Sequence, residues 1–115
     1  MSEIKELTKK IKQFRDERNW LQFHNHKDMA LSLVLEAAEV LEFFQWKSPE
    51  EVVKHGKELK DEIAEELADV AIYLFELADN LDIDIPNAIE RKLEKNAQKY
   101  PAEKAWGKNT KYNKL

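Results

Sequence analysis

A chain of 115 residues and 13.6 kDa, 43% hydrophobic and 37% charged, with only two glycines and three prolines, is long enough for one compact core and suits long solvated helices better than turn-rich β-structure. Its net charge of -4 argues against binding to a nucleic-acid polymer, and the absence of cysteine excludes disulfides, thiolate metal sites and cysteine nucleophiles. No stretch approaches membrane-spanning length and the opening MSEIKELTKKIKQF lacks the apolar core of a signal peptide, so the reading is a single-domain (1–115), all-α, cytoplasmic protein with no membrane partner.

The first helix is predicted over about 2–19, with Ile4, Leu7, Ile11 and Phe14 at helical intervals and Ser2 as N-cap. NWLQFHNHKD then breaks the periodicity and gathers aromatic rings, histidines and amides in a loop. A second helix is expected over about 28–45, ending near WKSPEE, where Ser48 and Pro49 form the cap and first turn of a short helix. Gly56 is expected to break the chain before a third helix at about 57–80, which DNLDIDIPNA closes. A fourth spans about 86–98, and Pro101 begins an irregular tail, 101–115. From Arg91 onward eight Lys/Arg face two acids, so the tail is basic.

Leu31 and Leu35 lie opposite the Leu33 stripe of the second helix, and Ile72 and Phe75 lie away from the Ile63–Val70–Leu74 stripe of the third. A helix apolar on two sides is usually buried on both, which predicts a homo-oligomer; the alternative is scattered surface apolars on a monomer.

LVLEAAEV (33–40) and IAEELADV (63–70) carry acids twice at one spacing. Glu36 falls about 60° to one side of Leu33 and Glu39 a further 60° round, and Glu66 and Asp69 repeat that placement relative to Ile63. Antiparallel packing would let four carboxylates converge. Such a group repels itself unless cations neutralise it, and hard divalent ions do so through oxygen ligands, Mg²⁺ typically sharing carboxylates with water and substrate phosphates. Two ordinary solvated faces are the alternative. A di-iron bundle wants a Glu-x-x-His step that no histidine here supplies, so all-oxygen ligation favours Mg²⁺ or Mn²⁺.

LEAAE followed by EELAD resembles the signature of the MazG-like all-α nucleoside triphosphate pyrophosphohydrolases. RDERNWLQFHNHKD, LEFFQWK, EELADVAIYL and KNAQKYP resemble, in order, blocks of the dCTP pyrophosphatase branch, from Phe14 to Pro101. The resemblance implies a four-helix-bundle-like fold, a tetramer in preference to a dimer, and Mg²⁺-dependent hydrolysis of a nucleoside triphosphate to monophosphate and pyrophosphate. Glu36, Glu39, Glu66 and Asp69 would be the metal ligands, with Glu39 helping to generate the nucleophilic water. The general signature opens with two adjacent acids; Leu35 replaces the first, as in the dCTP branch.

By the same resemblance, Tyr73 would lie beside the sugar, and Lys92, Asn96, Lys99 and Tyr100 would meet phosphate oxygens. Trp20, Phe23, His24 and Trp46 would form the base pocket. Packing readings stay open at Tyr73, as an interfacial core residue, and at Trp20 and Trp46, as pins for the ends of the second helix; Lys92 and Asn96 can equally face solvent. His26 and His55 read as surface, and Trp106 as closing the tail. The substrate implied is dCTP or a modified dCTP. The same reaction on dUTP, and a non-catalytic helical interaction module, are the alternatives.

Overall fold

The computed structural model of the chain describes residues 2–115. They form α1 (Glu3–Glu17), α2 (His26–Glu42), α3 (Pro49–Glu58), α4 (Lys60–Asn80), α5 (Ile85–Lys99) and α6 (Ala102–Ala105), with 3₁₀ turns at Leu21–Phe23 and Tyr112–Lys114 and no strand among the described residues. The all-α expectation holds. The chain divides into two compact units, one ending at Asp82 and the other Ile83–Leu115.

In the first unit α4 is the central element, and α1, α2 and α3 each pack on it. Local chemistry sets the helix ends. Ser2 Oγ accepts from Lys5 N at 3.2 Å, as its N-cap position predicts. The far end of α1 is a left-handed cap: Asn19 has φ 55°, its N–H donates to Asp16 O, and Trp20 N–H donates to Arg15 O, both at 3.1 Å. That reversal returns Trp20 to Phe14, ring centroids 5.8 Å apart and edge-on, with the Arg18 guanidinium 3.6 Å from the Phe14 centroid.

Asn25 begins α2 by accepting from Asp28 N at 2.9 Å, so the helix starts at His26, slightly before the predicted Asp28. It ends at Glu42, and the turn that follows holds Trp46 at φ 64°. Ser48 and Glu51 make a reciprocal capping box for α3. Gly56 does not break the chain: α3 runs through it to Glu58, the interruption falls at Leu59, and α4 starts at Lys60 rather than Lys57. A glycine inside a helix costs only about 1 kcal/mol relative to alanine, and the capping box and Pro49 at the start of α3 work against that cost.

Met29, Ile63 and Ala78 are the buried apolar residues among those described. Leu33 and Val40 are half-buried, whereas Leu67, one turn after Ile63 on α4, is exposed. Leu31, Val34, Leu35 and Leu41 leave α2 with an exposed apolar surface.

In the second unit Asp84 caps α5, accepting from Asn87 N at 3.1 Å, with Pro86 in the first turn. The tail is less irregular than predicted. The α6 turn, Gly107 at φ 68° and the last 3₁₀ turn accompany a fold-back in which Tyr112 lies edge-on to Tyr100 at 6.1 Å and 5.0 Å from Lys99 Nζ. No described helix is long and apolar enough to cross a membrane.

Candidate metal centre and its surroundings

The packing of α2 on α4 brings three of the four predicted acids together. Carboxylate oxygens of Glu36, Glu39 and Glu66 lie within 4.8 Å of one another, Glu36 and Glu66 half-buried and Glu39 exposed. Asp69, one turn after Glu66, adds its charge to both half-buried acids. Among the described residues no Lys, Arg or His forms an ion pair with any of the four.

Crowding without a counter-charge shifts the carboxyls upward. Glu66 is pushed up to about 7, first by the Glu39 carboxyl beside it, then by loss of solvent and the charges of Glu39, Glu36 and Asp69. Glu36 is raised too, chiefly by loss of solvent and then by Glu39. One oxygen on each, Oε2 of Glu36 and of Glu66, is buried with no hydrogen-bond partner. Two orphaned carboxylate oxygens beside a third acid are a set that a hard, oxygen-seeking divalent cation completes, so the residues fit such an ion.

The sign of the resulting pH effect is fixed. Glu66 binds a proton more tightly folded than unfolded, so between the ordinary glutamate range and about pH 7 the folded state holds more protons and its stability falls as pH rises. Metal-free protein is therefore expected to melt lower at pH 7.5 than at pH 5.5 on account of this site, and Mg²⁺ is expected to narrow the gap by favouring the ionised acids. Thermal melts at the two pH values, with and without Mg²⁺, check both.

A cavity of about 250 Å³ beside the acids is lined by Glu39, Glu42, Phe43, His55 and Glu66. His55, read from sequence as a surface residue, thus lines a cavity with two of the acids, and Glu42 joins it. The one sequence signal for this was the Ser48–Pro49 helix start, which orients the short α3 that carries His55.

Tyr73 follows Asp69 by one turn and is half-buried. Its phenol is raised by loss of solvent and then by the charges of Glu36, Asp69 and Glu76, so it lies under the influence of the acid cluster on one side and Glu76 on the other.

His24 has a partner that sequence reasoning did not find. Its Nδ1 lies 2.7 Å from Oε2 of Glu76, a residue only 2% exposed. Asn80 Nδ2 donates to that oxygen at 3.3 Å, and Arg15 Nη1 is 3.7 Å from it and 3.4 Å from Asn80 Oδ1. Arg15, 5% exposed, also pairs with Asp16 at 2.8 Å. The available signal was a run along α4, Glu66-Asp69-Tyr73-Glu76-Asn80, spaced 3-4-3-4 on one face.

Among the described residues no two of the other base-pocket candidates form a ring pair. Trp20 belongs to the α1 cap, Phe23 is exposed, and Trp46 is 92% exposed. That exposure rules out the reading of Trp46 as a core pin within one chain. In the second unit Lys92 and Asn96 lie one turn apart on α5, exposed and half-buried, while Lys99 and Tyr100 face Tyr112.

Residues 31–115 match the model of the MazG-like family. The chain is 41% identical over 105 residues to dCTP pyrophosphatase 1 of Rattus norvegicus and 40% identical over 105 residues to that of Homo sapiens, each alignment covering 90% of this chain and 62% of the relative. The chain thus spans about three-fifths of the length of the curated relatives it matches. The crystal structure of a pyrophosphatase from Archaeoglobus fulgidus DSM 4304 superposes with a TM-score of 0.84 at 43% identity, covering 88% of this chain and 94% of that one. With its helices, its paired acids and this match over most of its length, the chain belongs to the MazG-like family.

Proposed function

We propose that the chain is a Mg²⁺-dependent nucleotide pyrophosphohydrolase of the cytoplasm, hydrolysing dCTP or a modified dCTP between the α and β phosphates to the monophosphate and pyrophosphate, a reaction that clears the nucleotide pool. The observation that carries this reading is the convergence of Glu36, Glu39 and Glu66 with two buried, unpartnered oxygens. The names borne by the relatives favour cytosine as the base.

Glu36, Glu39, Glu66 and Asp69 would hold the ion, with Mn²⁺ a possible substitute. When bound, it supplies Lewis-acid polarisation of phosphate oxygen and neutralisation of developing charge. Glu39, the exposed member of the triplet, would accept a proton from the attacking water. That water oxygen bonds to the α phosphorus as the bridging P–O bond breaks, and pyrophosphate leaves with the bonding pair. Tyr73 offers a neutral hydroxyl beside the sugar. Lys92 and Asn96 offer donors one turn apart, and Lys99 and Tyr100 further ones, to phosphate oxygens.

Product identity tests the reaction. Phosphorus NMR of a dCTP reaction with Mg²⁺ is expected to show dCMP and pyrophosphate appearing together; dCDP with inorganic phosphate would reject the proposal.

Trp46 fits a base-stacking role because the residue is 92% exposed on a backbone at φ 64°, a region that costs a bulky residue about 1–2 kcal/mol and where glycine is at ease. Trp46→Gly is expected to raise stability by up to about 1 kcal/mol while raising KM for the nucleotide. Urea unfolding and steady-state kinetics on one preparation check the two halves.

The working particle in this reading is a homo-oligomer, a tetramer in preference to a dimer. Its support is the exposed apolar set Leu31, Val34, Leu35 and Leu41 on α2, with Leu67 and Ile72 on α4. Leu31→Asp is expected to yield a smaller, still helical species in size-exclusion chromatography with light scattering. A monomeric parent protein would contradict this assembly.

A further inference from the structure

Glu76 is a buried acid that the metal site does not use, and its surroundings define what His24 can present to a ligand. Oε2 of Glu76 faces the Asn80 amide nitrogen at 3.3 Å, the Arg15 guanidinium at 3.7 Å and His24 Nδ1 at 2.7 Å. An amide nitrogen and a guanidinium can only donate, and an ionised carboxylate can only accept, so His24 Nδ1 carries the proton in this bond. A neutral His24 ring in this bond is the Nδ1–H tautomer, and its Nε2 is a bare acceptor. Among the described residues Nε2 has no hydrogen-bond partner, and it is absent from the buried unpartnered atoms, so it reaches solvent.

The position of this acceptor matters. Glu76 continues the α4 face that carries Glu66, Asp69 and Tyr73, about 15 Å along the helix axis from Glu66. A molecule with its phosphates at the acids that extends along α4 past Tyr73 comes to the His24 ring. There an acceptor nitrogen bonds an exocyclic amine and repels a carbonyl oxygen, which is the difference between cytosine and uracil at one ring position.

We infer that Glu76 is a positioning residue for substrate selection: with Arg15 and Asn80 it holds His24 as the Nδ1–H tautomer, so that Nε2 selects amino-bearing over keto-bearing bases. This rests on the nucleotide reading of the site. Trypsin-type triads use a buried acid in the same way to fix a histidine tautomer, there for catalysis and here for recognition.

Two measurements test it. Nitrogen-15 NMR of the imidazole in the parent protein at pH 8 is expected to show His24 Nδ1 protonated and Nε2 unprotonated; the reverse tautomer, or an imidazolium, overturns the inference. This readout needs neither turnover nor a variant. Glu76→Gln, whose amide can donate to Nδ1 and so invert the ring, is expected to lower the ratio of kcat/KM for dCTP to that for dUTP by about tenfold to a hundredfold, mainly through KM for dCTP. A lower melting temperature with an unchanged ratio would assign Glu76 a purely structural part and overturn the inference. If the parent protein hydrolyses no deoxynucleotide at all, the proposed function is what fails, and the NMR result still decides the tautomer.

Discussion

Glu66→Gln is expected to abolish pyrophosphate release and, at the same time, to raise the melting temperature of the metal-free protein. Both effects have one origin. Glu66 is pushed up to about 7 because Glu39, Glu36 and Asp69 crowd it without a basic partner, so at neutral pH the folded state bears repulsion that the unfolded chain escapes. A neutral amide removes that repulsion and keeps the shape. It also removes one anionic oxygen from the cation site, and losing several kcal/mol of transition-state charge stabilisation corresponds to about a thousandfold in rate or more. Thermal melts with and without Mg²⁺ and a pyrophosphate assay read both. The variant should be more stable than the parent without metal and respond less to Mg²⁺, since ligand stabilisation scales with affinity for the folded state. A variant that is less stable without metal would mean that the four acids are not in mutual repulsion.

The second large effect is on stability. Arg15→Ala is expected to cost about 3–5 kcal/mol, because it leaves Glu76, 2% exposed, as a buried charge without its guanidinium. For a domain of this size that is a fall in melting temperature of roughly 12 °C or more. Burying an ion pair is a different matter from breaking one. Arg15→Met combined with Glu76→Leu is expected to recover much of the loss, since apolar replacement of both partners avoids the desolvation cost that the pair carries. The urea midpoints of parent, single and double variants measure this directly. A single variant as stable as the parent would show that Asn80 and His24 alone satisfy the Glu76 carboxylate.

The parts of this molecule that were legible from sequence are those governed by local chemistry. Ser2, Ser48 with Glu51, and Pro49 mark helix starts because cap side chains satisfy backbone N–H groups within four residues. The flank shared by Glu36, Glu39, Glu66 and Asp69 followed from helical periodicity alone, and packing then brought the first three together.

Where long-range packing decides, sequence reasoning fell short. Gly56 looked like a helix end, but a modest propensity cost does not stop a well-capped helix, and the interruption fell at Leu59. Leu67 follows buried Ile63 by one helical turn yet is exposed. The pairing of His24 with Glu76 spans fifty-two positions, and no short motif encodes it; its traces were the 3-4-3-4 run along α4 and an acid within the apolar run LFELAD. The edge-on contact of Trp20, a base-pocket candidate by resemblance, with Phe14 depends on the left-handed Asn19, which no sequence pattern announced.

The central claim is that the acid cluster is the divalent-metal centre of a nucleotide pyrophosphohydrolase. The most direct measurement is pyrophosphate release from a panel of the common NTPs and dNTPs with Mg²⁺, with EDTA and Glu39→Gln as controls. Release that favours dCTP, ceases with EDTA and is absent from a folded Glu39→Gln variant is the predicted result. Release that persists undiminished in EDTA or in Glu39→Gln would contradict the claim, as would folded parent protein that releases pyrophosphate from none of them.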